Sequence, residues 1–225
     1  MTIKQIIVGA MLSTLIFAPQ TMSAQKQFTL EDLNFGGNNF HNMVPKNRYT
    51  TWWGDQLVRT DAEFCTLVDK KTGKETRLFS TDELNKWIYP NGENKVRSLY
   101  SATFPYPNQT LVLLNVNQTR MLVNWKTKKV DWKQEAKDEI AADWNAQSRA
   151  VAFVKDDNLY VNDGKGVLKQ LSTDGSRNIV YGQSVHRDEF GIYKGTFWSN
   201  DGQKLAFYRM DQSMVADYPL VDRKS

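Results

Sequence analysis

Two acidic residues, Asp188 and Glu189, follow one of the only two histidines in this chain of 225 residues. They lie in the stretch SVHRDEFGIYKGTFWSNDGQKLAFYRMDQSMV (184–215), where a charged segment precedes an alternating aromatic segment. A carboxylate beside an imidazole can transfer protons, and a carboxylate can also bind a cation. The residue types therefore allow either acid–base catalysis or the capture of a positively charged ligand.

A structural role is the alternative for each of these residues. Arg187 can pair with the neighbouring acids in a solvated loop. A single loop histidine such as His186 usually makes structural hydrogen bonds. Spacing alone does not separate these interpretations.

Other binding chemistries lack the residues that they need. His41 and His186 lack the spacing of a metal-binding helix, and the single cysteine, Cys65, can form neither a disulfide within the chain nor a thiolate zinc site. The stretch NFGGNNF (34–40) lacks the lysine and following helix of a phosphate-binding loop. The sequence therefore predicts no cofactor and no metal, and Cys65 is interpreted as a core thiol on a strand.

A serine nucleophile of the α/β-hydrolase type needs the pattern G-x-S-x-G on a turn from strand to helix. The nearest match, GQSVH (182–186), lacks the second glycine. The strand–helix alternation of a hydrolase sheet does not occur either. We therefore predict no catalytic residue within these 225 residues.

The first residues are typical of a secretory signal peptide. Lys4 precedes the apolar run IIVGAMLSTLIFA (6–18), and small residues follow up to Ala24. The run is short for a transmembrane helix. We predict a signal peptide at 1–24, export to the periplasm or cell surface, and no stable membrane insertion after its removal; an uncleaved anchor is the alternative.

The charge balance does not favour a nucleic-acid partner. The chain has 29 basic and 25 acidic residues, a net charge of +4, and the two signs are mixed. The densest basic tract, NWKTKKVDWK (124–133), interleaves lysines with tryptophans, as a nucleic-acid surface can. We interpret Lys126–Lys129 instead as a polar turn between two strands, and predict no nucleic-acid binding.

An internal repeat carries the main information about the fold. The segments DWNAQSRAVAFVKDDNLYV (143–161) and FWSNDGQKLAFYRMDQSMV (197–215) align without gaps, so that Trp144 matches Trp198. Each copy is typical of a tryptophan anchor, a polar turn, an apolar strand, a second turn and another strand. The tryptophan is predicted to pack between neighbouring sheets.

Further strand and helix signals occur along the chain. Strand–turn–strand patterns are predicted at 64–79, at 119–132 after a strand at 110–116, and at 158–172. Helical signals are fewer: Ser80 with Glu83 forms a capping-box pattern, and 29–35 could form one or two turns. We expect 131–144 to be a loop or a short helix between units.

Short strands in units of roughly 40 to 55 residues are typical of a β-propeller. We therefore predict an all-β fold, a partial β-propeller over residues 25–225 with minor short helices. A two-sheet sandwich is the alternative, but it does not predict a gapless repeat anchored by tryptophan. The last unit stops after one hairpin, so we expect the ring to be incomplete.

The segment 184–222, with YTTWWGDQLVRTD (49–61) and MLVNWKTKKVDWKQEA (121–136), resembles the N-terminal propeller region of bacterial dipeptidyl peptidase IV and prolyl tripeptidyl peptidase. The resemblance covers most of the chain after the signal and is most specific at 184–222. These proteins are serine exopeptidases of the prolyl oligopeptidase family. Their propeller covers a C-terminal α/β-hydrolase domain, and substrates enter a cavity between the two.

The resemblance implies a role for the acidic pair. In this family a short acidic segment projects into the cavity and binds the free amino terminus of the peptide. Asp188 and Glu189 match that segment, Glu189 better than Asp188, because the mammalian motif has two glutamates. His186, Arg187 and Tyr193 are implied to line the same cavity.

These expectations together define the predicted function. The chain is expected to be the substrate-gating and amino-terminus-binding part of an exported serine exopeptidase that removes di- or tripeptides. Its partners are then a peptide with a free amino terminus and a C-terminal hydrolase domain, and the chain alone is expected to be inactive. A free-standing periplasmic propeller that binds a protein or glycan is the alternative.

Overall fold

The structure is a computed structural model that describes residues 27–43, 49–92, 95–185 and 189–216. The chain divides into two compact units, residues 1–47 and residues 48–225. The predicted signal peptide lies outside the described residues. Among the helices that the structure describes, none has the length and apolar character needed to cross a membrane.

Within its described residues, 27–43, the first unit contains two short helices, α1 (Leu30–Leu33) and α2 (Phe40–Met43). Thr29 caps α1: its hydroxyl accepts a hydrogen bond from the Asp32 amide at 3.2 Å, and the Asp32 carboxylate accepts one from the Thr29 amide at 2.9 Å. This reciprocal capping box satisfies two amides that would otherwise lack partners at a helix start. The short helix predicted at 29–35 is therefore confirmed.

In its described residues the second unit consists mainly of short antiparallel strands, with one α-helix, α3 (Thr81–Ile88). In chain order its strands are β1 (Tyr49–Trp53), β2 (Gln56–Thr60), β3 (Phe64–Val68), β4 (Glu75–Ser80), β5 (Leu111–Val116), β6 (Thr119–Asn124), β7 (Lys129–Glu135), β8 (Ile140–Trp144), β9 (Val151–Lys155), β10 (Asn158–Asn162), β11 (Leu168–Gln170), β12 (Ile179–Tyr181), β13 (Thr196–Trp198), β14 (Leu205–Phe207) and β15 (Arg209–Asp211).

Three successive sheets are meanders of consecutive strands. Blade 1 has the order β1-β2-β3-β4, blade 2 has β5-β6-β7 and blade 3 has β11-β10-β9-β8. A bridge between Thr103 and Leu113 extends blade 2 on the β5 side. Small antiparallel sheets that follow one another along the chain are the units of a propeller, so the partial β-propeller predicted from the sequence is observed.

Blade 4 is built differently from the others. It comprises two two-stranded sheets, in which β13 pairs with β14 and β12 pairs with β15, and the strands β14 and β15 follow each other almost directly. The long connection from β12 to β13 therefore leads from one of these sheets to the other. This connection contains the acidic segment singled out in the sequence.

The first halves of the two repeat copies have the same strand pairing in the structure. Trp144 pairs with Val151 in blade 3, and Trp198 pairs with Leu205 in blade 4, at the register that the alignment predicts. The second halves differ, because β10 pairs with β9 whereas β15 pairs with β12.

The prediction of a loop or short helix at 131–144 was wrong. Most of this segment belongs to β7 and β8, which pair with β6 and β9. Along β7 the lysines and Glu135 are exposed, while Val130, Trp132 and Gln134 are partly or fully buried. This alternation, together with cross-strand pairing, outweighs the helix-favouring Lys, Glu and Ala content.

The main core joins blades 1 and 2 and is centred on Trp125. The Trp125 ring lies 5.1 Å from Trp53, 5.6 Å from Phe79 and 5.6 Å from Phe104, measured between ring centroids. Such aromatic contacts add to the free energy gained by burying the rings. This core fixes the two blades against each other.

Two sequence predictions are confirmed beside this core. Ser80 caps α3, accepting a hydrogen bond from the Glu83 amide at 3.2 Å while the Glu83 carboxylate accepts one from the Ser80 amide at 2.8 Å. Cys65 is fully buried on β3. Burial raises the pKa of its thiol to about 12, so the thiol is protonated and unreactive at neutral pH.

Candidate functional site

The structure describes two of the five predicted site residues, Glu189 and Tyr193. Both are exposed, and Glu189 opens a 3₁₀ turn that ends at Gly191. The other three predicted residues, His186, Arg187 and Asp188, lie outside the described residues. The site can therefore be built from the segment 189–194, called here the return segment, and from the strands that hold it.

The 3₁₀ turn has an unusual backbone at its centre. Phe190 has φ 57° and ψ 21°, which lies in the left-handed region that residues other than glycine rarely adopt. The Ile192 amide donates a hydrogen bond to the Glu189 carbonyl oxygen at 3.0 Å and closes the turn. The Phe190 side chain is 89% exposed, so burial of its ring does not explain this conformation. Such strained residues tend to occur where a loop has a function.

Three backbone hydrogen bonds close the base from which this connection leaves blade 4. The Gly195 amide donates to the Gly182 carbonyl at 3.1 Å, the Gly182 amide to the Tyr208 carbonyl at 2.9 Å, and the Tyr208 amide to the Gly195 carbonyl at 2.8 Å. The chain therefore leaves blade 4 at Gly182 and rejoins it at Gly195.

The packing at Gly195 leaves no room for a side chain. A Cβ atom on this residue would overlap the backbone of Gln183, with the carbonyl oxygen as the nearest atom. We expect Gly195→Ala to lower the free energy of unfolding by about 1 to 3 kcal/mol, as overpacking does. Urea denaturation of the 225-residue chain measures this.

Gly73→Ala is the control for that substitution. Gly73 has φ +70°, and a Cβ there would meet no atom within 4 Å. This control therefore reports backbone strain without overlap, at about 1 to 2 kcal/mol. No loss of stability in the Gly195→Ala variant would contradict the close packing described for the base of the connection.

Asp143 on β8 links the end of the return segment to blade 3. Its carboxylate accepts a hydrogen bond from Lys194 Nζ at 2.7 Å and another from Thr196 Oγ1 at 3.2 Å. Its backbone carbonyl accepts one from Trp198 Nε1 at 2.8 Å. Side chains two residues apart on a strand share a face, so Lys194, Thr196 and Trp198 all reach the same residue of the neighbouring blade.

The side chains that form this contact are buried to different extents. Thr196 is fully buried, the Asp143 side chain is 11% exposed and the Lys194 side chain is 47% exposed. Lys194 Nζ also lies 5.8 Å from the centre of the Phe197 ring. The Asp143 carboxylate is thus partly desolvated while its cationic partner reaches it from the surface, which strengthens the hydrogen bond between them.

The sequence predicted part of this arrangement. It predicted that the repeated tryptophan packs between sheets, and the Trp198 contact with blade 3 confirms this for the second copy. It did not single out Asp143. The available signal was the repeat itself, in which Asp143 aligns with Phe197, a carboxylate in one copy against an aromatic ring in the other.

The chemistry offered by the return segment is that of a cation-binding surface. Among the residues that the structure describes, the Glu189 carboxylate has no hydrogen-bond or ion-pair partner, whereas Lys194 is paired with Asp143. The exposed rings of Phe190 and Tyr193 stand in the same segment. A carboxylate with neighbouring aromatic rings can bind an ammonium group.

The described residues show no metal site, and the cavity described here lies away from the return segment. No group of three His, Cys, Asp or Glu side chains is placed to hold a metal within residues 27–43, 49–92, 95–185 and 189–216. A cavity of about 450 Å³ lies between α3 and blade 2, lined in part by Tyr89, Met121 and Trp132. Glu189 does not line it.

Comparison with known protein families finds a match for the second half of the chain. Residues 109–225 match the family model described as "Dipeptidyl peptidase IV (DPP IV) N-terminal region". This match covers just over half of the chain and includes the whole return segment.

Two solved structures support the fold assignment. A Bacteroides ovatus protein assigned as a dipeptidyl aminopeptidase IV is 37% identical, with a TM-score of 0.68, over 88% of this chain and 27% of that chain. The dipeptidyl peptidase 4 of Porphyromonas gingivalis is 20% identical, with a TM-score of 0.51, over 89% of this chain and 30% of that chain. The second likeness shows the fold alone.

Curated relatives carry a related name. The "Probable dipeptidyl-aminopeptidase B" of Talaromyces marneffei is 34% identical over 140 residues, and that of Pyrenophora tritici-repentis is 27% identical over 220 residues. The chain spans 15% of the first relative's length and 22% of the second's. From the family match and the shared fold, this chain belongs to the dipeptidyl peptidase IV N-terminal region family.

Proposed function

We propose that the return segment binds the free amino terminus of peptides through Glu189, and that Asp188 assists. The observation that carries this proposal is the exposed Glu189 carboxylate, which has no partner among the described residues and stands on a turn with a closed base. Membership of a dipeptidyl peptidase family supports a peptide as the ligand.

The physical basis is the strength of contacts between opposite charges. A peptide ammonium brings three N–H donors and a positive charge, and each hydrogen bond to a carboxylate contributes about 1.5 to 3 kcal/mol. Holding the amino terminus at a fixed place sets which peptide bond reaches a nucleophile farther along the substrate. Glu189 in this role orients and counts residues, and takes no part in bond cleavage.

The wider setting belongs to the same proposal. A serine nucleophile would come from a C-terminal hydrolase domain, and the relatives named as dipeptidyl aminopeptidases support a peptidase as the whole protein. The enzyme would be exported, with residues 1–24 as its signal peptide, and would remove di- or tripeptides. The 225-residue chain on its own is expected to bind peptides without hydrolysing them.

A pair of titrations tests the proposal. The peptide Ala-Pro-Ala with a free amino group and the same peptide with an acetylated amino group are each titrated into the chain by calorimetry at neutral pH. We expect the free peptide to bind at least about tenfold more tightly, because acetylation removes the charge and two donors. Equal affinities, or tighter binding of the acetylated peptide, would contradict the proposal.

A further inference from the structure

We propose that Asp143 is a positioning residue, which fixes the return segment to blade 3 and thereby holds Glu189 in its place. This inference rests on the proposed function for its consequence in peptide binding. Its structural part, the restraint of the segment, stands on the contacts of Asp143 alone.

The residues that contact Asp143 follow one another at every second position of the chain, at and just before β13. Three alternate residues of blade 4, Lys194, Thr196 and Trp198, all donate hydrogen bonds to it, at 2.7, 3.2 and 2.8 Å. The first two are held by the carboxylate and the third by the backbone carbonyl. Replacing the Asp143 carboxylate by an amide therefore removes the charge opposite Lys194 and one of the two acceptor oxygens, and it leaves the Trp198 contact in place.

The place of Lys194 makes this contact important for Glu189. Lys194 is the last residue before Gly195, where the chain rejoins blade 4 through its backbone. Between Glu189 and Lys194 the side chains of Phe190 and Tyr193 are 89% and 69% exposed, so packing restrains them little. In the described return segment, the Lys194–Asp143 ion pair at 2.7 Å is the ion pair to a neighbouring blade that lies nearest to Glu189 along the chain.

The free energy expected from the Lys194–Asp143 ion pair is enough to restrain the return segment but too small to decide whether the domain folds. Lys194 is about half exposed, so the ion pair contributes modestly to overall stability. Losing it would release the end of the return segment while blades 3 and 4 stay joined by Trp198 and by the hydrogen bond from Asn145 Nδ2 to the Ser199 carbonyl at 3.3 Å. Local order then changes without unfolding of the domain.

A spin label at position 190 measures this restraint directly. Phe190→Cys places a reactive thiol on an exposed site beside Glu189, and the buried Cys65 stays unlabelled because its thiol is inaccessible and protonated. The electron paramagnetic resonance spectrum then reports the motion of the segment. We expect a faster component in the Asp143→Asn and Lys194→Met variants than in the labelled parent chain.

The matched control uses a second aspartate–lysine pair, in which Lys155 lies on β9 and Asp138 lies between β7 and β8. Asp138 and Lys155 form an exposed ion pair at 3.8 Å that does not touch the return segment. Asp138→Asn and Lys155→Met repeat the same chemical changes. They are expected to leave the spectrum unchanged, and all four variants are expected to keep the parent melting temperature within a few degrees.

Peptide affinity gives the second readout. Asp143→Asn and Lys194→Met are expected to weaken binding of Ala-Pro-Ala roughly three- to tenfold, the range for losing a partly exposed charged contact. Unchanged spectra in both variants would overturn the positioning role whatever the peptide does. Faster spectra with peptide binding that does not depend on Glu189 would confirm the restraint and refute the proposed function instead.

Discussion

Replacement of Glu189 by glutamine is expected to weaken the binding of a peptide with a free amino terminus by about ten- to 150-fold. Glutamine keeps the length of the side chain but removes its negative charge, and one charge-assisted hydrogen bond corresponds to about 1.5 to 3 kcal/mol. Glu189 is exposed and opens the 3₁₀ turn, so the substitution should not change the melting temperature. Calorimetric titration with Ala-Pro-Ala measures the affinity.

Two comparisons make this result specific. The N-acetylated peptide should bind the parent chain and the Glu189→Gln variant equally weakly, because it offers no ammonium to either. Glu135→Gln changes an exposed glutamate on β7 and should leave both affinities unchanged. A loss of affinity for the acetylated peptide as large as that for the free peptide would show that Glu189 does not recognise the amino terminus.

The second large effect is expected in stability, at the junction of blades 2 and 3. Arg120 on β6 donates a hydrogen bond from Nη2 to Glu139 Oε2 at 2.8 Å and another from Nη1 to Gln134 Oε1 at 3.1 Å. The Arg120 and Glu139 side chains are 7% and 5% exposed. Arg120→Met leaves a buried carboxylate without its cation, which should lower the free energy of unfolding by about 3 to 5 kcal/mol.

The double variant Arg120→Met with Glu139→Leu is the control. Removing both charges also removes the cost of burying them, so most of the lost stability should return. Denaturation in urea gives the free energy of unfolding for the parent, the single variant and the double variant. A double variant no more stable than the single one would show that the loss comes from packing and not from an unpaired charge.

Much of the fold could be predicted from the sequence because the relevant signals are local. The gapless repeat determined the register of the hairpins that contain Trp144 and Trp198, and the capping box at Ser80 determined the start of α3. Each signal depends on residues close together in the chain. The structure adds how the sheets follow one another.

The features that the sequence did not predict depend on contacts between distant segments. The segment 131–144 has the composition of a helix, and only its pairing with β6 and β9 makes it two strands. Asp143 gains its role from Lys194, which lies in another blade. No pattern within a short window reports such a contact.

The sequence pointed to the segment that holds the candidate site, but it did not show how that segment is held. The acidic pair pointed to the connection between β12 and β13, and Glu189 lies there on an exposed turn. The closed base at Gly182 and Gly195 could not be inferred, because glycine spacing alone does not show which backbones meet.

A crystal structure of the chain with bound Ala-Pro-Ala tests the central claim most directly. We expect the peptide amino nitrogen to lie about 2.7 to 3.2 Å from a carboxylate oxygen of Glu189, within hydrogen-bond distance. A bound peptide whose amino nitrogen contacts another part of the molecule, with Glu189 left in solvent, would contradict the account.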